Sequence, residues 1–284
     1  MLTVLAPAKL NLTLEVLAKR PDGYHEIRSV IQTINLRDSL RFQLDQNLTI
    51  KCDKPNWIPA ESLVSKAASL LQAATGCPEG ATIEVNKRIP LVSGLGGDSS
   101  DAAAILQGLN QLWDLGLAPL ELLELASQLG SDVAFFLYGG TALVRGRGEI
   151  VTPLPSLPHM WVVLAIPSVP RMENKTERLY AGLKPNHYTQ GEITDRLAAL
   201  LTERSLKGER LVSNTFNVFE SVAGDMFDGL REYREQFLRA GATSVHLAGS
   251  GPALFTLVKD KLQADKIYKN LQRQGLESYL VETL

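Results

Sequence analysis

The chain has 284 residues, enough for one large domain or two ordinary ones. A hydrophobic content of 45% and a charged content of 21% fit a globular protein, and a net charge of −2 gives no reason to expect nucleic acid or an anionic membrane as partner. No apolar run approaches the ~18–20 residues of a membrane helix; Cys52 and Cys77 with 4 scattered histidines suggest neither a disulfide framework nor a zinc site, and free thiols fit a reducing cytoplasm.

In chain order, Leu10, Leu12, Leu14 and Val16 alternate with Asn11, Thr13 and Glu15, which predicts a strand. Lys9 and Asn11 share its other face, and spacing alone makes that face a solvated strand edge. Pro21-Asp22-Gly23 is a turn, and residues 30–36 and 40–44 read as two further strands. Residues 62–74 are helical, and Ile83 and Val85 alternate with Glu84 and Asn86 in a strand. Helices are expected over 100–113 and 119–129, and the prolines at 153, 155 and 158 place a domain boundary that separates 1–155 from 156–284. Beyond it come a buried strand at 161–166 and helices near 175–183, 193–204 and 218–240. The last is a single long helix with Met226, Phe227, Leu230, Tyr233, Phe237 and Leu238 inward. Strands near 247, 253–258 and 279–281 and a helix at 260–273 complete an α+β layered fold.

The chemistry concentrates in Pro90-Leu91-Val92-Ser93-Gly94-Leu95-Gly96-Gly97-Asp98-Ser99-Ser100. Glycines at 94, 96 and 97 let the backbone approach a ligand closely. Ser99, Ser100 and Asp101 are N-cap types, so a helix should begin here, and its unpaired N–H groups and dipole attract an anion. A glycine loop feeding a helix N-terminus is a phosphate cradle. It is not a Walker A loop, because Asp98 follows Gly97, and not a dinucleotide fingerprint, because Ser99 stands where the third glycine belongs. The alternative is a tight turn without a ligand.

Other candidates lie outside the loop. Asp132, before Val133-Ala134-Phe135-Phe136, is a helix cap or a general base. Tyr24 and His25, read from the residues alone, are a packed tyrosine at a strand end and a surface histidine. Gly249-Ser250-Gly251 is a plain turn between strands. Arg145 and Arg147 are an anion contact or a solvated hairpin tip.

The glycine loop resembles the phosphate loop of the GHMP kinases. Ala6-Pro7-Ala8-Lys9-Leu10-Asn11-Leu12 resembles that family's first motif, and Leu247-Ala248-Gly249-Ser250-Gly251-Pro252-Ala253-Leu254-Phe255 its third. Arg20-Pro21-Asp22-Gly23-Tyr24-His25-Glu26 and Leu129-Gly130-Ser131-Asp132-Val133-Ala134-Phe135-Phe136 are similar to one branch, whose alcohol substrate carries a cytidyl diphosphate and belongs to the non-mevalonate route to isoprenoid precursors. The matches run in order from residue 6 to residue 255.

The resemblance implies a two-domain GHMP kinase fold, with an N-terminal domain like ribosomal protein S5 domain 2 and a ferredoxin-like C-terminal domain. It implies ATP as co-substrate with Mg²⁺, a small-molecule cytidyl diphosphate acceptor, and a monomer or weak homodimer in the cytoplasm. Lys9 and Asp132 become the catalytic pair. Asn11, Tyr24, His25 and Tyr180 become substrate-binding, with Lys175-Thr176-Glu177-Arg178-Leu179-Tyr180 matching the family's Ser-Thr-x-x-Val-Tyr segment. Pro90, Gly94, Leu95, Gly96, Gly97, Asp98, Ser99 and Ser100 hold ATP, and Gly249, Ser250 and Gly251 close over the site; no side chain is assigned to a metal.

Two positions depart from the pattern. Asp98 replaces a glycine, and a carboxylate repels a polyphosphate unless it turns outward, where it would help cap the helix, or meets Mg²⁺. Ser62 replaces an asparagine near the adenine. The competing functions are a family kinase for another small alcohol, against which Tyr24-His25 argues, and a non-enzymatic nucleotide-binding protein, which would have lost Lys9 or Asp132.

Overall fold

The structure, a computed structural model, describes residues 1–55, 57–58, 62–205 and 208–284. Its first half runs β1 (Leu2–Lys19), β2 (His25–Asp45), β3 (Thr49–Cys52), α1 (Leu63–Thr75), β4 (Gly80–Asn86), α2 (Gly97–Leu112), α3 (Pro119–Leu129), α4 (Ser131–Tyr138), β5 (Thr141–Gly146) and β6 (Ile150–Pro153). Its second half runs β7 (Trp161–Ile166), α5 (Lys175–Gly182), α6 (Glu192–Thr202), α7 (Gly208–Ser213), β8 (Phe216–Asn217), α8 (Glu220–Met226), α9 (Leu230–Arg239), β9 (His246–Leu247), β10 (Leu254–Val258), α10 (Lys261–Arg273) and β11 (Glu277–Glu282). Among the described residues no helix is long and apolar enough to cross a membrane.

Two units form. One contains Met1–Ala8, Leu36–Leu91 and Gly96–Gly139; the other contains Lys9–Asn35, Val92–Leu95 and Gly140–Leu284. In the first, β4 pairs antiparallel with Ser39–Asp45 of β2 and parallel with β3. Helix α1 packs on α2, and α2 on α4. Phe42, Leu71, Ile83, Leu106 and Phe135 are fully buried there. Gly108 is the point of closest helix–strand approach, since a Cβ on it would lie 2.4 Å from the Phe42 ring.

Residues 30–36 and 40–44, expected as two strands, lie on the single strand β2. The polar residue that interrupts the apolar pattern, Asp38, is fully buried and does not mark a turn. Its carboxylate lies 2.6 Å from the Lys87 ammonium and accepts the Ile89 amide at 2.7 Å. Lys87 also meets Asp101 of α2 at 2.6 Å. Burial pushes the Asp101 carboxyl above the ordinary carboxylate range. Burial alone would lower the Lys87 ammonium, but attraction to Asp101 and Asp38 outweighs it and holds the ammonium above its usual value. A buried ion costs several kcal/mol to desolvate, so this cluster persists only because its charges meet at contact distance.

In the second unit β5 pairs antiparallel with Ile27–Gln32 of β2 and with β6, while β8 lies parallel to β1 at Thr13 and Leu14. A separate antiparallel sheet has the order β11-β7-β10-β9. Its core includes Val163, Leu179, Phe219, Phe237 and Ile267. The long helix expected over 218–240 is two helices, because Gly229 takes φ 79° and opens α9 as its N-cap. Leu238, expected inward, is 44% exposed. Helix α4 was foreseen only as the helix that Asp132 would cap, and not in its extent, because eight residues are too few for an amphipathic period to declare itself.

Alanine is the better helix former by about 1 kcal/mol, yet overpacking against a ring costs about 1–3 kcal/mol. Gly108→Ala should therefore lower the urea midpoint, and Phe42→Leu added to it should restore part of the loss. A stabilised Gly108→Ala protein would show that the contact with Phe42 relaxes freely.

Candidate active site

Strand β1 explains the chemistry of the second unit. Its odd-numbered polar residues share one face, and that face is buried: Lys9 and Asn11 are 5% exposed, and Thr13 and Glu15 are fully enclosed. The solvated-edge reading of Lys9 is thereby excluded. These polar groups bond to one another and to their neighbours in sequence, with Glu15 Oε1 left without a partner. The Lys9 ammonium donates to Asn11 Oδ1 at 2.7 Å, Asn11 Nδ2 donates to Ser29 Oγ at 2.9 Å, and Ser29 donates to the Thr13 carbonyl. Thr13 Oγ1 accepts from the Val30 amide at 2.9 Å, and Glu15 accepts the Thr194 amide near the start of α6 at 2.7 Å. This chain of hydrogen bonds fixes the Lys9 and Asn11 heads.

Two glycine loops cross beside those heads. A Cβ on Gly94 would lie 2.1 Å from the Ala248 carbonyl oxygen, and a Cβ on Gly249 would lie 2.8 Å from the Gly94 oxygen and 3.1 Å from the Lys9 ammonium. Only glycine permits this approach. The Lys9 amide donates to the Leu95 carbonyl at 2.9 Å, and the Ala253 amide donates to the Ser93 carbonyl at 3.1 Å. Asn217 Nδ2 donates to the Leu247 and Gly249 carbonyls, both at 2.8 Å. Gly249-Ser250-Gly251 is a turn between β9 and β10, closed by the Gly251 amide on the Ala248 carbonyl at 2.8 Å. It is also packed against Gly94, so the turn is not a plain one.

In the first unit the rest of the loop leads into α2. The N-cap is Gly96, with φ 76° and no side-chain cap bond, so the helix starts at Gly97. Ser99, Ser100 and Asp101, expected as caps, lie inside the helix, because the left-handed Gly96 begins it earlier. Asp98 is likewise not a cap. Its half-exposed carboxylate accepts from Trp57 Nε1 at 3.2 Å and lies 3.8 Å from the Lys87 ammonium. A Cβ on Gly97 would lie 3.3 Å from that same ammonium. Asp132 lies in the first turn of α4 behind Gly130, the N-cap, so capping does not explain it. Ser62 is the buried N-cap of α1 and makes no side-chain cap bond. Pro90 is half-buried before the loop.

An aromatic cluster stands in the second unit. The His25 and Tyr180 rings stack at 4.6 Å with 15° between planes, and Tyr188 meets His25 edge-on at 6.1 Å. Tyr180 also packs edge-on against Phe219 at 4.9 Å and so belongs to the edge of the core. Burial, then Lys19, holds the His25 imidazole below its ordinary value, which keeps it neutral near pH 7 with one donor and one acceptor. Tyr24 is 57% exposed, and the Arg147 guanidinium lies 4.8 Å above its ring. Arg147 is thus engaged at the hairpin tip, while Arg145 is an exposed residue of β5. Tyr188, Phe219, Asn217 and Thr194 were not singled out from sequence, since none lies in a recognisable motif.

Family models for the GHMP kinases N terminal domain and the GHMP kinases C terminal domain match residues 62–140 and 197–276. The chain is 52% identical over 284 residues, covering 100% of it and 99% of the relative, to a 4-diphosphocytidyl-2-C-methyl-D-erythritol kinase of Dehalococcoides mccartyi. It is 41% identical over 275 residues, covering 95% and 93%, to the enzyme of the same name from a Geobacillus species. A crystal structure of 4-(cytidine 5'-diphospho)-2C-methyl-D-erythritol kinase superposes with a TM-score of 0.82 at 32% identity, covering 99% of both chains. Homoserine kinase from Cytophaga hutchinsonii, at 21% identity and a TM-score of 0.76 over 99% of this chain and 94% of that one, shares the fold. With both family models matched in order and relatives aligned along its whole length, the chain belongs to the GHMP kinase family.

Proposed function

We propose that the chain transfers the γ-phosphoryl group of ATP to the 2-hydroxyl of 4-diphosphocytidyl-2-C-methyl-D-erythritol, in the non-mevalonate route to isoprenoid precursors. The observation that carries this is the 52% identity, without a gap in coverage, to a kinase named for that substrate. The family's N-terminal and C-terminal domains are then residues 1–155 and 156–284.

Phosphoryl transfer asks for position and charge neutralisation more than covalent chemistry. Asp132 takes the proton of the attacking hydroxyl. Lys9, held by Asn11, supplies positive charge to the phosphoryl group in flight. Backbone N–H groups of Gly94, Leu95, Gly96, Gly97, Asp98 and Ser99, in the loop that Pro90 opens, receive the triphosphate, and Gly249, Ser250 and Gly251 cover it; the Ser100 amide is taken by the Gly96 carbonyl at 2.9 Å, which leaves that residue its hydroxyl. Tyr24 and Tyr180 offer ring faces to cytosine, and neutral His25 offers its edge a donor and an acceptor. Among the described residues no three His, Cys, Asp or Glu side chains converge as a metal site, while the Ser100 hydroxyl is buried without a partner. The Ser99 and Ser100 hydroxyls would hold a Mg²⁺ carried on the nucleotide, and the ion would supply neutralisation of phosphate charge.

ATP consumption measured with this acceptor, homoserine, mevalonate and galactose should be seen with the cytidyl substrate alone. Comparable turnover of another alcohol would move the chain to a different branch of the family. Asp132→Asn keeps the side chain's size and removes the proton acceptor, so turnover should fall about 10²–10⁴-fold with the melting temperature kept. Near-normal turnover would deny Asp132 the role of base. Tyr24→Ala should weaken cytidyl substrate binding by about 1–3 kcal/mol and leave ATP affinity unchanged. Tyr180→Ala should do the same and also lower stability, because its ring packs on Phe219. Loss of ATP affinity instead would exchange the two nucleotide sites.

A further inference from the structure

Three lysines are buried among the described residues, and Lys175 differs from Lys87 in what surrounds its charge. Lys87 sits between two carboxylates. Lys175, 9% exposed, donates to the Val92 carbonyl at 2.8 Å and to the Gly251 carbonyl, one from each glycine loop. Among the described residues no carboxylate pairs with it; the charged group that acts on it is Lys9, a like charge. It is also the first residue of α5, where the helix dipole disfavours a cation. Burial, then Lys9, brings its ammonium down to about 8. Two neutral carbonyls satisfy two of its three donors and leave its charge uncompensated. Buried charges are ordinarily paired. Its neighbour Thr176 donates to Ser250 Oγ at 3.1 Å, which ties the start of α5 to the second glycine loop again. An open cavity of about 810 Å³, lined by Val92, Arg171, Asn174, Lys175 and Thr176, leads to this point.

We propose that Lys175 is a second cation of the phosphoryl-transfer site, held in place by the Val92 and Gly251 carbonyls and neutralised by the phosphate chain of a bound nucleotide. The inference rests on the kinase reading above and deepens it. The reaction offers two phosphate chains, the triphosphate of ATP and the diphosphate of the acceptor, and the chemistry Lys175 recognises is common to both. The groups that face it are Lys9 from β1, the uncharged carbonyls of residues 92 and 251, and Arg171, Glu173 and Glu177 around the cavity on its own segment. The sign follows from the lowered value: the ammonium is charged below about pH 8 and its attraction is lost as the pH rises through 8.

The test is isothermal titration of the full chain with Mg²⁺–AMPPNP and, separately, with CDP, between pH 7 and pH 9. Wild-type affinity for one of the two probes should fall at least fivefold across that range. Lys175→Met should bind that probe at least tenfold more weakly at pH 7 and show no such fall. The probe that responds identifies the phosphate chain. Unchanged affinity for both probes in a folded Lys175→Met protein would overturn the proposal. If that variant does not fold, wild-type titration at pH 8 in buffers of different ionisation enthalpy decides. Proton uptake on binding, as the anion recharges the ammonium, supports the proposal, and no uptake with either probe overturns it. The acceptor panel on wild-type protein tests the kinase reading separately, so the two can fail independently.

Discussion

Two backbone segments far apart in the sequence meet at Gly94 and Gly249 with no space for a Cβ on either. Much of the second unit's chemistry depends on that approach. It places the Gly249 backbone beside the Lys9 ammonium and the Asn11 amide oxygen. It brings the Leu95 carbonyl within 2.9 Å of the Lys9 amide, and the Ser93 carbonyl within 3.1 Å of the Ala253 amide. Any side chain at either glycine would push the loops apart and break these bonds together. The usual argument for glycine in a phosphate loop is backbone contact with a ligand. Here contact between the loops themselves already demands it.

The protein buries its lysines by different means, and magnitudes distinguish them. A buried ion costs several kcal/mol to remove from water. Lys87 recovers this from Asp38 and Asp101, both at 2.6 Å, and so ties β2, the segment after β4 and the N-terminal part of α2 together. Lys175 has two carbonyls. Hydrogen bonds from a charged donor contribute about 1.5–3 kcal/mol each, which satisfies the donors but leaves a positive charge facing Lys9. Lys87 is an architectural cation, and Lys175 is one whose charge is left for something else.

The aromatic cluster proposed to recognise the substrate also shares its atoms with the core. Tyr180 contributes one face to His25 and an edge contact to Phe219, so the core that holds α5 against α8 also fixes the angle of the imidazole. The turn at Pro21-Asp22-Gly23 is fastened in the same way. Asp22 accepts the Tyr24 amide at 3.1 Å, and Glu26 accepts the Gly146 amide at 3.1 Å while pairing with Arg20. The hairpin that carries Arg147 is thereby bound to the turn that carries Tyr24. A recognition surface built on short loops gains its rigidity from such cross-links.

Local pattern determined much of this. The alternation after Lys9, the helix at Leu63–Thr75, the proline-led α3 and the strand at Trp161–Ile166 all stand where apolar period and turn residues put them. The glycine loop, Lys9, Asn11, Asp132 and the Tyr24-His25 pair could be singled out as candidates because each lies in a contiguous motif. What sequence could not decide were the questions answered by distant residues. Asp38 read as a break between strands until Lys87 and the Ile89 amide satisfied it inside one continuous strand. The polar face of β1 read as solvent-facing until Ser29, Thr194 and the second glycine loop covered it. Asp98 and Lys175 carried no signal of their orientation, because their partners lie 41 and 76–83 residues away along the chain. Period and turn chemistry are properties of neighbouring residues and are written in order. Burial and charge pairing belong to residues brought together by the fold, and only the tertiary structure decides them.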